Sequence, residues 1–193
     1  MRLQTLTTLS SAIVGALLMV IGNLIQSGFI FPSPYGGADI FQLSSTLQVF
    51  ALLLTALVSG PRSASLAAII YISLGLFQVP IFTMGGNCSY LFNPSFGYLA
   101  GFIPAGWFVG QCSRQNRMND PLLFSLISIF GLIIVHACGI INIILGCLSF
   151  RWSEDLVQLI VEYSLGPFGA QLILCCAIGI VSIPLRKLLL IRS

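Results

Sequence analysis

The sequence predicts an all-α membrane protein, a bundle of six transmembrane helices forming one integral membrane domain over residues 1–193. Three observations carry this prediction. Only 7% of the residues are charged and 57% are hydrophobic, with a mean hydropathy of +1.02. A soluble domain carries roughly 25% charged residues, so this chain could not cover its surface with polar groups. Six apolar runs can be counted in its 193 residues, which matches about 20 residues per helical crossing plus loops. The charges, finally, fall in the connections or, for Arg186 and Lys187, at the end of a run, and they segregate by side.

The runs are Leu9–Phe31, Ser45–Val58, Ser63–Val79, Ser95–Gln111, Pro121–Phe150 and Phe168–Leu190. The first reads as a retained helix and not a signal peptide, since no small-residue cleavage site leads into a polar domain. Several runs are apolar all round, as expected of helices surrounded by lipid and other helices. The connections differ in kind. Residues 31–44 (FPSPYGGADIFQLS) read as an ordered loop, Gly60-Pro61 as a tight turn, and SRQNRMND (113–120) as a short solvated link. In residues 151–165, Leu156, Leu159, Ile160 and Tyr163 share a face at helical spacing, which predicts an amphipathic helix lying at the membrane interface.

With a cytoplasmic N-terminus and six crossings, the inner side holds Arg2, Arg62, Arg114, Arg117, Arg186, Lys187 and Arg192, seven of the eight basic residues. The outer side holds Arg151 with Asp39, Glu154, Asp155 and Glu162, four of the five acids. The positive-inside rule therefore predicts N-in, C-in. The long loops 31–44, 80–94 and 151–167 then lie outside, and a site built from loops opens outward.

Much chemistry is excluded. No phosphate-binding G-x-x-x-x-G-K-[ST] loop is present, Lys187 is the only lysine, and no hydrolase or H-E-x-x-H pattern stands out. None of the acids falls inside an apolar run, so no proton or sodium relay is built into the spans. Transport by this chain would need energy from a partner. The six cysteines (Cys88, Cys112, Cys138, Cys147, Cys175 and Cys176) lack C-x-x-C spacing and read as reduced small hydrophobes, with no metal site. Nothing calls for a cofactor or for nucleic acid.

Three features remain. His136 is the only histidine and falls mid-run in VHACGIIN; it is either a ligand contact or proton carrier, or a neutral ring bonded to a neighbouring helix. Ser11, Ala12, Gly15 and Ala16 form a small-residue stripe that lets a helix approach closely, for internal packing or for a partner. The third is Gln78 to Phe102, QVPIFTMGGNCSYLFNPSFGYLAGF, an uncharged polar interruption between two spans. Irregular backbone cannot face hydrocarbon unpaired, so this segment must fold against protein or line a cavity. Pro80 ends a helix, Gly85-Gly86 permits a turn, and Asn87, Ser89, Tyr90 and Asn93 supply neutral donors and acceptors. Pro94 opens the next helix as a first-turn proline, beside Ser95. The helix start after Leu165-Gly166-Pro167 carries the amide of Gln171 in a similar way. These groups suit a neutral, ring-bearing small molecule.

The run Val58–Phe102, with G-P-R, then Y-I-S-L-G-L-F-Q-V-P-I-F, then G-G and N-P-S-F-G-Y-L-A-G-F, resembles the BioY family. These are biotin-specific substrate-binding S components of energy-coupling-factor (ECF) transporters. The motifs cover about a quarter of the chain, while length, span plan and loops match over the rest. The resemblance implies a prokaryotic plasma-membrane protein that binds biotin in an outward pocket and is not itself an enzyme. It also implies partners, a transmembrane T subunit and two ATP-binding subunits, docking partly on Ser11, Ala12, Gly15 and Ala16. The expected ligand-binding residues are Asn93, Tyr98, Gln171, Gly86, Asn87 and Tyr90. One departure stands out. Where the family carries P-G-D-x-x-K, this chain reads P-F-G-A-Q-L-I-L, with Gln171 for the acid and Leu174 for the lysine. The cation for the ligand carboxylate is missing, which leaves an S component for another vitamin as an alternative. From other classes, a non-catalytic structural membrane subunit and an intramembrane enzyme using His136 or Cys88 remain open.

Overall fold

A computed structural model describes residues 2–32, 38–77, 79–82, 86–115, 120–152 and 155–189. Gln78, Gly85, Arg117, Glu154, Leu190 and Arg192, and the Pro/Gly centre of the first loop at 33–37, lie outside the described residues. The order is α1 (Arg2–Leu24), β1 (Gln26–Pro32), β2 (Ala38–Thr46), α2 (Gln48–Ser59), α3 (Pro61–Leu76), a 3₁₀ turn (Cys88–Phe92), α4 (Phe96–Cys112), α5 (Pro121–Leu148), α6 (Leu156–Ile160), a π turn (Val161–Leu165) and α7 (Gly166–Leu188). Among the described residues, three helical stretches are long and apolar enough to cross a membrane: Gln4–Leu24, Pro121–Leu148 and Leu156–Leu188. Their outward faces expose Leu6, Leu17, Phe130, Ile141 and Ile180.

Side-chain register shows how the helices run. Gly22 abuts Leu47 and Gly15 abuts Thr55, so α1 and α2 are antiparallel. Gly97 meets Asn142 and Gly131 meets Val109 across α4 and α5, and Gly179 meets Ser125 across α7 and α5. The pairs α1/α2, α4/α5 and α5/α7 are thus antiparallel, with α2 innermost. Nine of its twelve residues are buried, so a helix only ~18 Å long has its apolar surface covered by protein.

Local chemistry sets the boundaries. Gly60 adopts φ +87, a left-handed conformation that suits glycine, and Pro61 takes the first helical position of α3. Asp120 caps α5 by accepting from the Leu122 N–H at 3.0 Å. At the same end of the bundle, Arg114 donates to Ser59 O at 2.8 Å and buried Arg186 to Ser113 O at 3.1 Å. Each places a cation on the orphan carbonyls at a helix C-terminus.

Three expectations are corrected. The fold is not purely helical: the first run stops at Leu24, and β1 and β2 form an antiparallel hairpin pairing Phe29 with Phe41 and Ile30 with Ile40. Two β-rich stretches flanking a Pro/Gly cluster are a hairpin pattern, and apolarity had masked the first of them. Residues 156–165 are not a separate interfacial helix, because α6 continues through the π turn into α7 as one 33-residue stretch. Leu159 on that stretch is fully buried. Pro94 is not in the first turn of α4; Ser95 is the N-cap and Phe96 the first residue. Ala12, Gly15 and Ala16 are buried within the chain, with Gly15 against Thr55 and Ala67. Of the four residues expected to dock a partner, Ser11 is partly exposed, and Ser11 and Gly15 border a groove of about 320 Å³ along α1 and α2.

Candidate ligand-binding site

The polar segment between α3 and α4 folds back on protein. Asn23 Nδ2 donates to Ile81 O at 2.7 Å, and the Tyr71 hydroxyl donates to the same oxygen at 3.3 Å. Phe82 is buried over Gly75, edge-on to Tyr71 and against the Tyr90 ring, 4.4 Å between centroids. The backbone of Gly86 packs so closely on Val79 that a Cβ would collide with the Val79 carbonyl. From the other side, Trp152 Nε1 donates to Phe92 O at 2.9 Å, and Asn142 Nδ2 to Pro94 O at 3.2 Å.

Beneath this segment lies a cavity of about 150 Å³, bordered by the foot of the hairpin (Thr46), the start of α2 (Gln48), Tyr90, the start of α4 (Ser95, Tyr98), the middle of α5 (His136) and the start of α7 (Tyr163 before it, Gln171 on it). Its apolar wall includes Val49, Leu99, Phe102 and Val135. No acid, lysine or arginine lines it among the described residues. A larger groove of about 480 Å³ lies at the opposite end of the bundle, bordered by Thr8, Arg62 and Arg114. It lacks aromatic walls.

The polar groups of the cavity are ordered. Ser95 Oγ sits 2.8 Å from both Asn93 Oδ1 and the Tyr90 hydroxyl, and Asn93 Oδ1 also accepts the Ser95 N–H at 3.0 Å. Burial raises the Tyr90 hydroxyl above the ordinary phenol range, opposed in part by its Ser95 hydrogen bond; the phenol is neutral at physiological pH. Deeper in, the Tyr98 hydroxyl lies 2.6 Å from Ser164 Oγ, Ser164 Oγ lies 3.2 Å from His136 Nδ1, and His136 Nε2 lies 2.8 Å from Gln171 Oε1. An amide oxygen only accepts, so Nε2 carries a proton. Tyr98 stacks near Tyr163, and His136 stands edge-on to Tyr98 and Phe168. One donor is left over: Gln48 Nε2 is buried without a partner. A buried amide donor left unpaired costs about 1–3 kcal/mol, which a ligand acceptor would recover.

The model of the BioY family matches residues 1–190. The chain belongs to the BioY family. Its relatives include an uncharacterized 21.2 kDa protein of Cyanophora paradoxa, from the psbX-ycf33 intergenic region, 31% identical over 150 residues and 77% of each chain. The biotin transporter BioY of Thermotoga maritima is 32% identical over 128 residues, 60% of this chain and 74% of that one. The probable biotin transporter BioY of Lysinibacillus sphaericus is 34% identical over 95 residues, about half of each chain at 49% and 48%. A crystal structure of the S-component for biotin from an ECF-type ABC transporter has the same fold, with a TM-score of 0.68 at 18% identity over 97% of this chain and 94% of that one.

In this BioY chain, three of the six expected ligand residues border the cavity: Tyr90, Tyr98 and Gln171. Asn93 stands one step back, holding Ser95 at the wall. Gly86 packs on the Val79 backbone above, and Asn87 is exposed, its carbonyl accepting the Tyr90 N–H at 3.0 Å. Leu174 does not border the cavity. Sequence reasoning missed Gln48, an amide near the start of an otherwise apolar run, whose isolation was the available signal. It also missed Ser164 and Tyr163, which lay inside the segment read as interfacial. His136 bonds to the side chains of Ser164 and Gln171 on the neighbouring helical stretch, not to a backbone carbonyl of it.

Proposed function

We propose that this BioY chain is the biotin-binding S component of an ECF importer in a prokaryotic plasma membrane, energised by a T subunit and two ATP-binding subunits. The observation that carries the reading is a family-matched chain whose uncharged cavity presents amides and aromatic rings, with one buried amide donor unpaired. The ureido group of biotin offers two N–H donors and one carbonyl acceptor, which Gln48 and Ser95 complement without charge. The thiophane ring and alkyl chain suit Leu99 and Phe102.

The protein crosses the membrane six times as a single domain, N-in and C-in. In support, Arg62, Arg114, Arg186 and Lys187 sit at helix ends opposite the cavity, and the hairpin, the 3₁₀ turn and α6 cluster at the cavity end. A two-stranded hairpin leaves strand edges unpaired, which fits the watery face of the membrane and not its interior. The chain performs no chemistry on its ligand. The replacement of acid and lysine by Gln171 and Leu174 favours a second reading, an S component for a different vitamin. Calorimetry of the detergent-purified chain against biotin, thiamine and riboflavin separates the two; biotin alone gives binding heat if the first reading holds.

A further inference from the structure

We propose that His136 is the residue that recognises the ligand carboxylate, taking up one proton from water as the anion enters the cavity. The inference rests on the biotin reading, a neutral bicyclic head on a chain that ends in a carboxylate. Burying that anion without a counter-charge carries a penalty of several kcal/mol. The cation has to come from the wall, and the wall offers one candidate. From α2 the cavity receives the amide of Gln48, from the 3₁₀ turn and the α4 start the phenols of Tyr90 and Tyr98, and from the stretch before α7 the phenol of Tyr163. From α7 comes the amide of Gln171, with the buried thiol of Cys175 one turn further on. Asp155 and Glu162 are exposed on the outside of that stretch, and Arg151 lies over Phe92, 5.1 Å from the ring centre. Among the described lining groups only His136 converts between neutral and cationic near neutral pH.

The hydrogen-bond chain is arranged to respond. With His136 neutral, Nε2–H donates to Gln171 Oε1, and Nδ1 accepts from Ser164, whose oxygen accepts from the Tyr98 hydroxyl. A proton arriving at Nδ1 reverses the second half of that chain. Nδ1–H then donates to Ser164 Oγ, Ser164 O–H donates to the Tyr98 oxygen, and the Tyr98 proton is released to point into the cavity. The separations of 3.2 Å and 2.6 Å serve either direction, so only hydroxyl protons rotate. One protonation places a cation on the wall and also aims a donor at the incoming anion.

The test is calorimetry of the purified full chain with biotin and with biotin methyl ester, in buffers of different ionisation enthalpy, from about pH 5 to about pH 8. Wild type takes up close to one proton with biotin and none with the ester, and its biotin affinity weakens by up to about tenfold per pH unit as His136 deprotonates in the free protein. His136→Gln keeps a neutral hydrogen-bonding side chain. In that variant the ester titration reads any loss common to both compounds, and beyond that loss biotin binding takes up no proton, is weaker at low pH and is flat with pH. Biotin binding with no proton uptake in wild type, or with the same uptake in His136→Gln, overturns the assignment and leaves the biotin reading standing. Failure of wild type to bind either compound overturns both.

Discussion

Gln48 and Asn93 show how two amides can serve one site in different ways. Gln48 Nε2 is buried and unpaired, so the folded protein bears its desolvation without return until a ligand arrives. Gln48→Met, close in volume, is expected to hold or raise the melting temperature of the empty protein while weakening biotin binding about tenfold to a hundredfold. A thermal-shift assay beside calorimetry reads both, and a fall in stability with unchanged affinity would contradict the assignment. Asn93 faces Ser95, holding its N–H and hydroxyl at the α4 N-terminus. Asn93→Ala should therefore lower stability by about 0.5–2 kcal/mol, as loss of a helix cap does, and weaken binding through displacement of Ser95. The amide types and the N-P-S-x-G-Y motif were legible in the sequence. Which amide faces the cavity and which faces the backbone was not, because that depends on a turn geometry in which Pro94 precedes the helix and does not begin it.

At the scale of elements, the site depends on how closely α4 and α5 approach. The Tyr98 ring lies where a Cβ on Gly139 would be, so the ring is pinned between its own helix and α5. Gly139→Leu is expected to drive Tyr98 into the cavity and abolish biotin binding, while a protein that still folds elutes as a single species in size-exclusion chromatography. The far end provides the matching control. Arg186 is buried, bonds Ser113 O and covers the Phe124 ring at 5.1 Å. Arg186→Met should cost about 1–3 kcal/mol of stability and leave biotin affinity unchanged, since the cavity lies at the other end of the bundle. Helix existence could be read from apolar runs and breaker residues: Gly60-Pro61 and Asp120-Pro121 fall where the chain turns. The hairpin and the α6–α7 continuity could not. An apolar strand continues a helical run without a change in hydropathy, and a π turn carries a helix through a segment whose spacing looks like a separate amphipathic piece.

The molecule as a whole is polarised. Helix ends rich in arginine lie at one end and the cavity with its covering segment at the other, and Gly15 of α1 packs against Thr55 of α2 and Ala67 of α3. The proposed orientation makes a labelling prediction. In a background lacking the other five cysteines, exposed Cys88 should react with a membrane-impermeant maleimide in intact cells. A cysteine placed by Arg114→Cys should react only after permeabilisation, and the reverse pattern would invert the topology. Family membership, the fold and an uncharged cavity converge on a vitamin-binding membrane subunit, and they do so with Leu174 on α7 where the resemblance leads one to expect a lysine. The most direct test of that conclusion is titration of the purified chain, free of partner subunits, with biotin by calorimetry. The account predicts saturable binding of one biotin per chain, with thiamine and riboflavin silent; no biotin heat at any pH, or saturation by another vitamin, would contradict it.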